Sequence, residues 1–210
     1  MQVPITLYAE MTPNPATMKF VSNKHLVLSD QNIVFNSMDE AKGYSPLAEA
    51  LFNFPFVDGV FMASNFVTVT KTDNIDWDFI VMELREFIRE WLANGKEAII
   101  RIPAPGAPKA AEKPATAAVN LNETPADQPA SFEKSDLDEP IIALLNEYVR
   151  PAVENDGGAI DFIGFNDGKV YVMLKGSCAG CPSSTQTLKG GIETLLKSNL
   201  EEVTEVVAYS

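Results

Sequence analysis

The residues of this chain best suited to chemistry are its two cysteines, Cys178 and Cys181, which lie three positions apart. Thiolates are soft ligands that bind zinc or iron–sulfur clusters, and two of them at this spacing in a tight loop can converge on one metal centre. Gly176 and Gly180 allow the backbone to turn closely around a bulky ligand. A helix predicted to begin just after Cys181 points its amide groups at the thiolates, so we expect a lowered cysteine pKa.

Two cysteines supply only half of a ligand set, because closed zinc sites and iron–sulfur clusters normally take four protein ligands. The missing ligands must come from a second chain, a small thiol or a client protein, and a symmetric dimer that shares one cluster is the simplest arrangement. Three interpretations stay open on this basis: a cluster carrier, a thiol-disulfide oxidoreductase and a structural zinc-bridged dimer. The oxidoreductase is disfavoured because Ala179 and Gly180 separate the cysteines and no tryptophan stands directly before the pair.

Two further polar residues, one a candidate ligand and one that could tune the site, are interpreted as structural. His25 is the only histidine and lies far from both cysteines in sequence, so we interpret it as a turn residue. Asp156 precedes Gly157 and Gly158, a pattern typical of a turn that ends a helix.

The composition disfavours several classes of partner. The 210 residues carry a formal charge of −13, which argues against binding to nucleic acid or to an anionic membrane. No run of about 18 apolar residues is present that could span a bilayer, and the segment before Thr12-Pro13 lacks the features of a targeting peptide. Together with the low cysteine content, this favours a reducing cytoplasm.

A proline- and alanine-rich stretch divides the chain into two parts. Residues 103–134 contain six prolines and nine alanines. Such a segment buries too little apolar surface to offset the entropy lost on ordering. We interpret them as a flexible linker between a domain at 1–102 and a domain at 135–210. Acidic residues outnumber basic ones by 13 to 8 in the first domain and by 12 to 5 in the second.

The N-terminal domain is predicted to contain a sheet covered by helices. A helix is predicted to begin at Ser45-Pro46, and an apolar stripe from Trp77 to Leu92 at helical spacing predicts a second helix that ends at Asn94-Gly95. The predicted strands are Ile5–Ala9, Met18–Ser22, Val60–Met62 and Phe66–Lys71.

The C-terminal domain is predicted to have the order helix, hairpin, cysteine loop, helix, strand. A helix starts at 136–140, is kinked at Pro151 and stops at Asp156. Asp167-Gly168 between two apolar runs is a strong hairpin signal. The predicted hairpin strands are 159–165 and 169–174, followed by a helix from Ser183 or Ser184 and a strand at 203–208. The fold class is therefore α+β, with two small α/β-sandwich domains.

Several motifs resemble the NifU-like (Nfu) iron–sulfur proteins. The C-terminal resemblance covers nearly all of residues 135–210, and the N-terminal one concerns the domain that precedes it in Nfu proteins. The C-terminal motifs are 149–153, 156–158, 176–184, 187–189 and 191–193, and the N-terminal motifs are 12–15, 19–20, 45–48, 59–60 and 66–71.

The resemblance implies a non-enzymatic scaffold or carrier. It implies that Cys178 and Cys181 bind a 4Fe-4S cluster shared between two subunits of a homodimer, with a 2Fe-2S cluster also compatible with four thiolates. The implied partners are an upstream cluster scaffold and the apo-proteins that receive the cluster. The N-terminal domain is implied to help in choosing clients or donors.

Overall fold

The computed structural model describes residues 4–27, 31–102, 132, 134–179 and 182–209, except for the side chains of 182–184. It confirms the α+β class, with one antiparallel sheet in an N-terminal unit (4–102) and one mixed sheet in a C-terminal unit (134–209). Most of the predicted linker and Cys181 lie outside the described residues.

The N-terminal unit is a five-stranded antiparallel sheet with strand order β1-β2-β5-β4-β3. Ser45 caps α2 by accepting a hydrogen bond from Ala48 N, and Pro46 occupies the first turn, as predicted. The elements are β1 (Leu7–Met11), β2 (Thr17–Ser22), β3 (Ile33–Phe35), α1 (Met38–Ala41), α2 (Pro46–Leu51), β4 (Val57–Ala63), β5 (Phe66–Lys71) and α3 (Trp77–Ala93).

The two faces of this sheet are buried against different neighbours. Along β2, β4 and β5, one set of alternate residues packs with the helices, including Phe20, Met62 and Val67. Helix α3 contributes Leu84, Ile88 and Leu92 to this core, which confirms the predicted stripe. The opposite face is also buried and contains Lys19, Val21, Phe61, Phe66 and Thr68.

The C-terminal unit is a three-stranded sheet, β6-β7-β8, in which β6 and β7 are antiparallel and β7 and β8 are parallel. The hairpin turn has positive φ at Asp167 and Gly168, as the sequence predicted. Its elements are α4 (Asp138–Leu144), a π-helical segment (Leu145–Val149), α5 (Arg150–Asn155), β6 (Gly158–Asn166), β7 (Lys169–Gly176), α6 (Pro182–Asn199) and β8 (Glu205–Tyr209).

Two local features differ from the sequence-based predictions. The helix irregularity predicted at Pro151 instead lies before it, as a π-helical segment that runs directly into α5, so the wider turn precedes the residue that lacks an N–H. Phe132, inside the predicted linker, packs against Tyr171 with ring centroids 4.8 Å apart and against the backbone of Gly164.

Candidate functional site

Cys178 lies just beyond the carboxyl end of β7, in the connection to α6. Its residue is 7% exposed and belongs to the apolar core of the C-terminal unit. Ala179 N donates to Gly176 O at 3.1 Å, and Thr185 in the first turns of α6 donates through Oγ1 to Cys178 O at 3.2 Å. Strand and helix therefore hold the Cys178 backbone from both sides.

Two glycines allow close approaches around Cys178, one at the sulfur and one in the backbone of the turn. An added Cβ at Gly158 would lie 2.7 Å from Cys178 Sγ and 2.7 Å from Lys175 O, so β6 approaches the sulfur more closely than any other residue type allows. Gly176 has φ +64°, and a Cβ there would lie 2.8 Å from Gly157 O. Gly176 has the tight backbone that the sequence predicted, and Gly180 lies outside the described residues. Gly158 was not recognised as part of the site.

The turn that ends α5 forms another wall of the site. Asp156 caps the helix and Gly157 follows with φ +81°, which confirms the predicted helix-terminating turn. Ser177 Oγ donates to Asp156 O, and Ser177 N donates to Gly157 O at 3.3 Å. These bonds fix the residue before Cys178 to the end of α5.

Burial raises the pKa of the Cys178 thiol. The hydrogen bond with Ser177 lowers this pKa, and the nearby Asp156 carboxylate raises it further. The predicted lowering of the cysteine pKa by the helix that follows is therefore wrong for Cys178. Desolvation of the thiolate is the largest cause of the rise in pKa, because a side chain in the core loses its contact with water.

A cavity of about 400 Å³ opens beside Cys178 and is lined by both units. The C-terminal unit supplies Asp156, Cys178 and Leu188 among others, and the N-terminal unit supplies Pro13. The neighbouring Asn14 donates through Nδ2 to Ala179 O at 3.1 Å. Residues 12–15 lie between β1 and β2, and nothing in their own sequence indicated that they would contact the cysteine loop.

Other residues considered in the sequence are not brought to the site. His25 is exposed, and within the described ranges no three or more His, Cys, Asp or Glu side chains are grouped so as to hold a metal ion. Lys175 pairs with Asp161 at 2.5 Å. Cys181 lies in the part of the chain that the structure does not describe, so its place as a second ligand stays a prediction.

Comparison with known proteins places both units in one family. The family model "Scaffold protein Nfu/NifU N terminal" matches residues 7–95, and the model "NifU-like domain" matches residues 141–207. The NFU1 iron-sulfur cluster scaffold homolog, mitochondrial, of Homo sapiens is 35% identical over 91% of this chain and 67% of its own length. The chain belongs to the Nfu/NifU family. NifU-like protein 4, mitochondrial, of Arabidopsis thaliana is 34% identical over 94% of this chain, which spans only 63% of that relative's length.

Among solved structures, this family member is similar to a solution NMR structure of a NifU-like protein from Saccharomyces cerevisiae. The sequence identity is 27% and the TM-score 0.41, and the match covers 47% of this chain and 87% of that one. Of the described helices, none is both long and apolar enough to cross a membrane.

The human and Arabidopsis relatives are both named mitochondrial. This finding overturns the cytoplasmic location that the sequence predicted for the present protein. The prediction relied on composition and on the lack of targeting features before Thr12-Pro13. Composition is a property of the folded units, whereas location is set by targeting segments.

The raised pKa of Cys178 can be tested by alkylation. In a Cys181→Ser variant, which leaves one thiol, we expect the rate of reaction with iodoacetamide to rise with pH around a midpoint above that of the same variant in denaturant. The reason is that the thiolate is the reacting species and burial disfavours it. Mass spectrometry of quenched samples measures the rate. A midpoint below the denatured value would instead support control by the helix dipole.

Proposed function

We propose that this chain is an iron–sulfur cluster carrier that binds a cluster through Cys178 and Cys181 and transfers it to apo-proteins. Its membership of a scaffold family supports this role. The observation on which the proposal rests is the position of Cys178 between β7 and α6, on a backbone held by hydrogen bonds and next to Gly158, which leaves space at the sulfur. Such a loop places a soft ligand beside a cavity.

The cluster is proposed to be of the 4Fe-4S type and shared between two subunits. The chain has only two cysteines, so four thiolates supplied by this protein alone require two copies of it. A cluster bridging two loops is lost when the subunits separate, which suits delivery more than permanent storage. A 2Fe-2S cluster satisfies the same ligand count.

The protein is proposed to act without catalysing a reaction on a small substrate. The rival function, cycling Cys178 and Cys181 through a disulfide as an oxidoreductase, requires a reactive thiolate. Burial raises the pKa of Cys178 and so opposes that chemistry in the described conformation.

The test is anaerobic reconstitution with iron and sulfide, followed by iron and labile-sulfide analysis, visible absorption and sizing. We expect about four iron and four sulfide per dimer in the unaltered protein and none in a Cys178→Ser, Cys181→Ser double variant. Transfer is followed by mixing the loaded dimer with a cluster-free 4Fe-4S acceptor protein and measuring recovery of the acceptor.

The matched control is His25→Ala, since that exposed side chain should leave cluster content unchanged. A double serine variant that still binds and transfers cluster would refute the proposal. A colourless monomer that readily forms a Cys178–Cys181 disulfide would favour the oxidoreductase. Bound zinc without labile sulfide would favour a structural zinc-bridged dimer.

A further inference from the structure

A buried lysine joins the two units. Lys19 on β2 is 7% exposed, and its ammonium donates to Glu154 O at 3.1 Å and to Asn155 O at 3.0 Å. These carbonyls belong to the last turn of α5, where the negative end of the helix dipole attracts a cation. Lys19 also lies 4.7 Å from the centroid of the Phe66 ring. A buried charge is costly unless its donors are satisfied, and here the two carbonyls of the C-terminal unit do so together with the Glu10 carboxylate of the N-terminal unit, 3.4 Å away.

Two more hydrogen bonds from the N-terminal unit reach the segments on either side of the thiol. Thr68 Oγ1 donates to Gly157 O at 2.8 Å, and Asn14 Nδ2 donates to Ala179 O at 3.1 Å. Both donor residues are buried. The turn that carries Asn14 is fixed to α3, because the indole of Trp77 donates to Pro15 O at 2.9 Å. The turn therefore moves with the N-terminal unit and not with the cysteine loop.

An apolar cluster continues the same contact. Val21, Phe61, Ala63 and Phe66 of the N-terminal sheet pack with Ala159 of β6, which is fully buried. A Cβ added at Gly176 would lie 3.0 Å from Phe61 Cδ1, so the aromatic ring lies directly on the glycine that begins the cysteine turn. The face of the N-terminal sheet that is not covered by its own helices is thus covered by the C-terminal unit.

We propose that this face, defined by Asn14, Lys19, Phe61, Phe66 and Thr68, is a docking surface for the chain's own cysteine loop and competes with the second subunit that shares the cluster. The inference rests on the proposed function and adds a regulation of the same site. In the docked state the N-terminal unit holds Ala179 and lines the cavity beside Cys178, and in the undocked state the loop is open to a second copy.

Competition follows from the place of the contact. A shared cluster needs the thiols of two loops to converge on one point, so the protein groups around each loop must leave room for the other subunit. Ala179 lies between the two cysteines in sequence, and its carbonyl accepts a hydrogen bond from Asn14. Pro13 lines the cavity beside Cys178. A turn fixed to the N-terminal unit therefore occupies space that an approaching subunit needs.

The interface between the two units combines polar and apolar contacts, as expected for an interface that can open. Its polar contacts use one ammonium, one hydroxyl and one amide, all of which water can solvate after separation. Interfaces between domains of one chain are commonly of this kind and permit relative motion. Docking and undocking are thus states of one molecule, and cluster loading selects the undocked state.

The test compares the unaltered full-length chain with Lys19→Met and Asn14→Ala. Removing the two ammonium hydrogen bonds should make alkylation of Cys178 in the cluster-free protein about ten-fold faster, and Asn14→Ala should have a smaller effect of the same sign. Tandem mass spectrometry of the peptide that carries both cysteines separates Cys178 from Cys181. In parallel, reconstitution followed by sizing should show the cluster-bound dimer forming faster in both variants.

The matched control is Lys24→Met, which removes an exposed ammonium of the same unit and should change neither rate. Tryptophan fluorescence verifies that each variant keeps its N-terminal fold, since Trp77 and Trp91 both lie there. Unchanged alkylation in Lys19→Met would overturn docking, and faster alkylation with an unchanged rate of dimer formation would overturn competition. If no protein takes up cluster, the proposed function and the competition fail, while alkylation of the apo-protein still decides the docking.

Discussion

Replacing Gly158 by alanine is expected to displace Cys178 and to lower the free energy of unfolding of the C-terminal unit by about 3 kcal/mol. The added Cβ would lie 2.7 Å from both Cys178 Sγ and Lys175 O. The sulfur can rotate away, but the carbonyl belongs to the backbone of β7 and cannot yield without disturbing the β6–β7 ladder. Amide hydrogen exchange over β6 and β7, measured in the full chain, reports the loss.

Gly190→Ala is the matched control for this substitution. Gly190 lies inside α6 and has nothing within 4 Å of an added Cβ, so alanine there should stabilise the helix by about 0.5–1 kcal/mol. The Gly158 variant should also take up less cluster than the unaltered protein, because its thiol is displaced. Unchanged exchange and cluster content in Gly158→Ala would show that the close approach of β6 to the sulfur is not required.

Replacing Phe20 by alanine is expected to lower the free energy of unfolding of the N-terminal unit by about 3–5 kcal/mol. Phe20 is fully buried in the middle of β2, paired with Val67 on one side and Ala9 on the other, and packs into the core under the helices. Truncation leaves a cavity that the surrounding strands cannot fill. Urea unfolding followed by tryptophan fluorescence measures the change.

Phe79→Ala makes the same chemical change at an exposed position. Phe79 is 77% exposed on α3, so its removal should alter stability by no more than about 0.5 kcal/mol. Equal midpoints for the two alanine variants would contradict the assignment of Phe20 to the core. Because both tryptophans lie in the N-terminal unit, the measurement isolates that unit from the rest of the chain.

The sequence predicted those elements whose signals are local. Asp167-Gly168 predicted the hairpin because positive φ is required at the turn. The glycines that follow Asp156 indicated the turn at the end of α5. The helix α3 was evident from its apolar period. Strand β3 was missed because three residues are too few for a period to show.

Contacts between distant parts of the chain could not be predicted in this way. Asn14 and Ala179 are 165 positions apart, and no local rule connects them. Lys19 is a charged residue in a strand, a pattern that usually indicates exposure, yet tertiary contacts bury it. The direction of the Cys178 pKa shift failed for the same reason, since burial is a property of the folded chain and not of the motif.

The bonds of Lys19 to the end of α5 give the docked state an unusual response to ionic strength. They join a buried cation to neutral carbonyls, so dissolved ions screen them little. The two units themselves are both acidic, with 13 acidic and 8 basic residues in 1–102 and 12 and 5 in 135–210, and repel each other through water. Added salt weakens this repulsion more than it weakens the buried contacts. Docking therefore tightens as salt rises, opposite in sign to the behaviour of a surface ion pair.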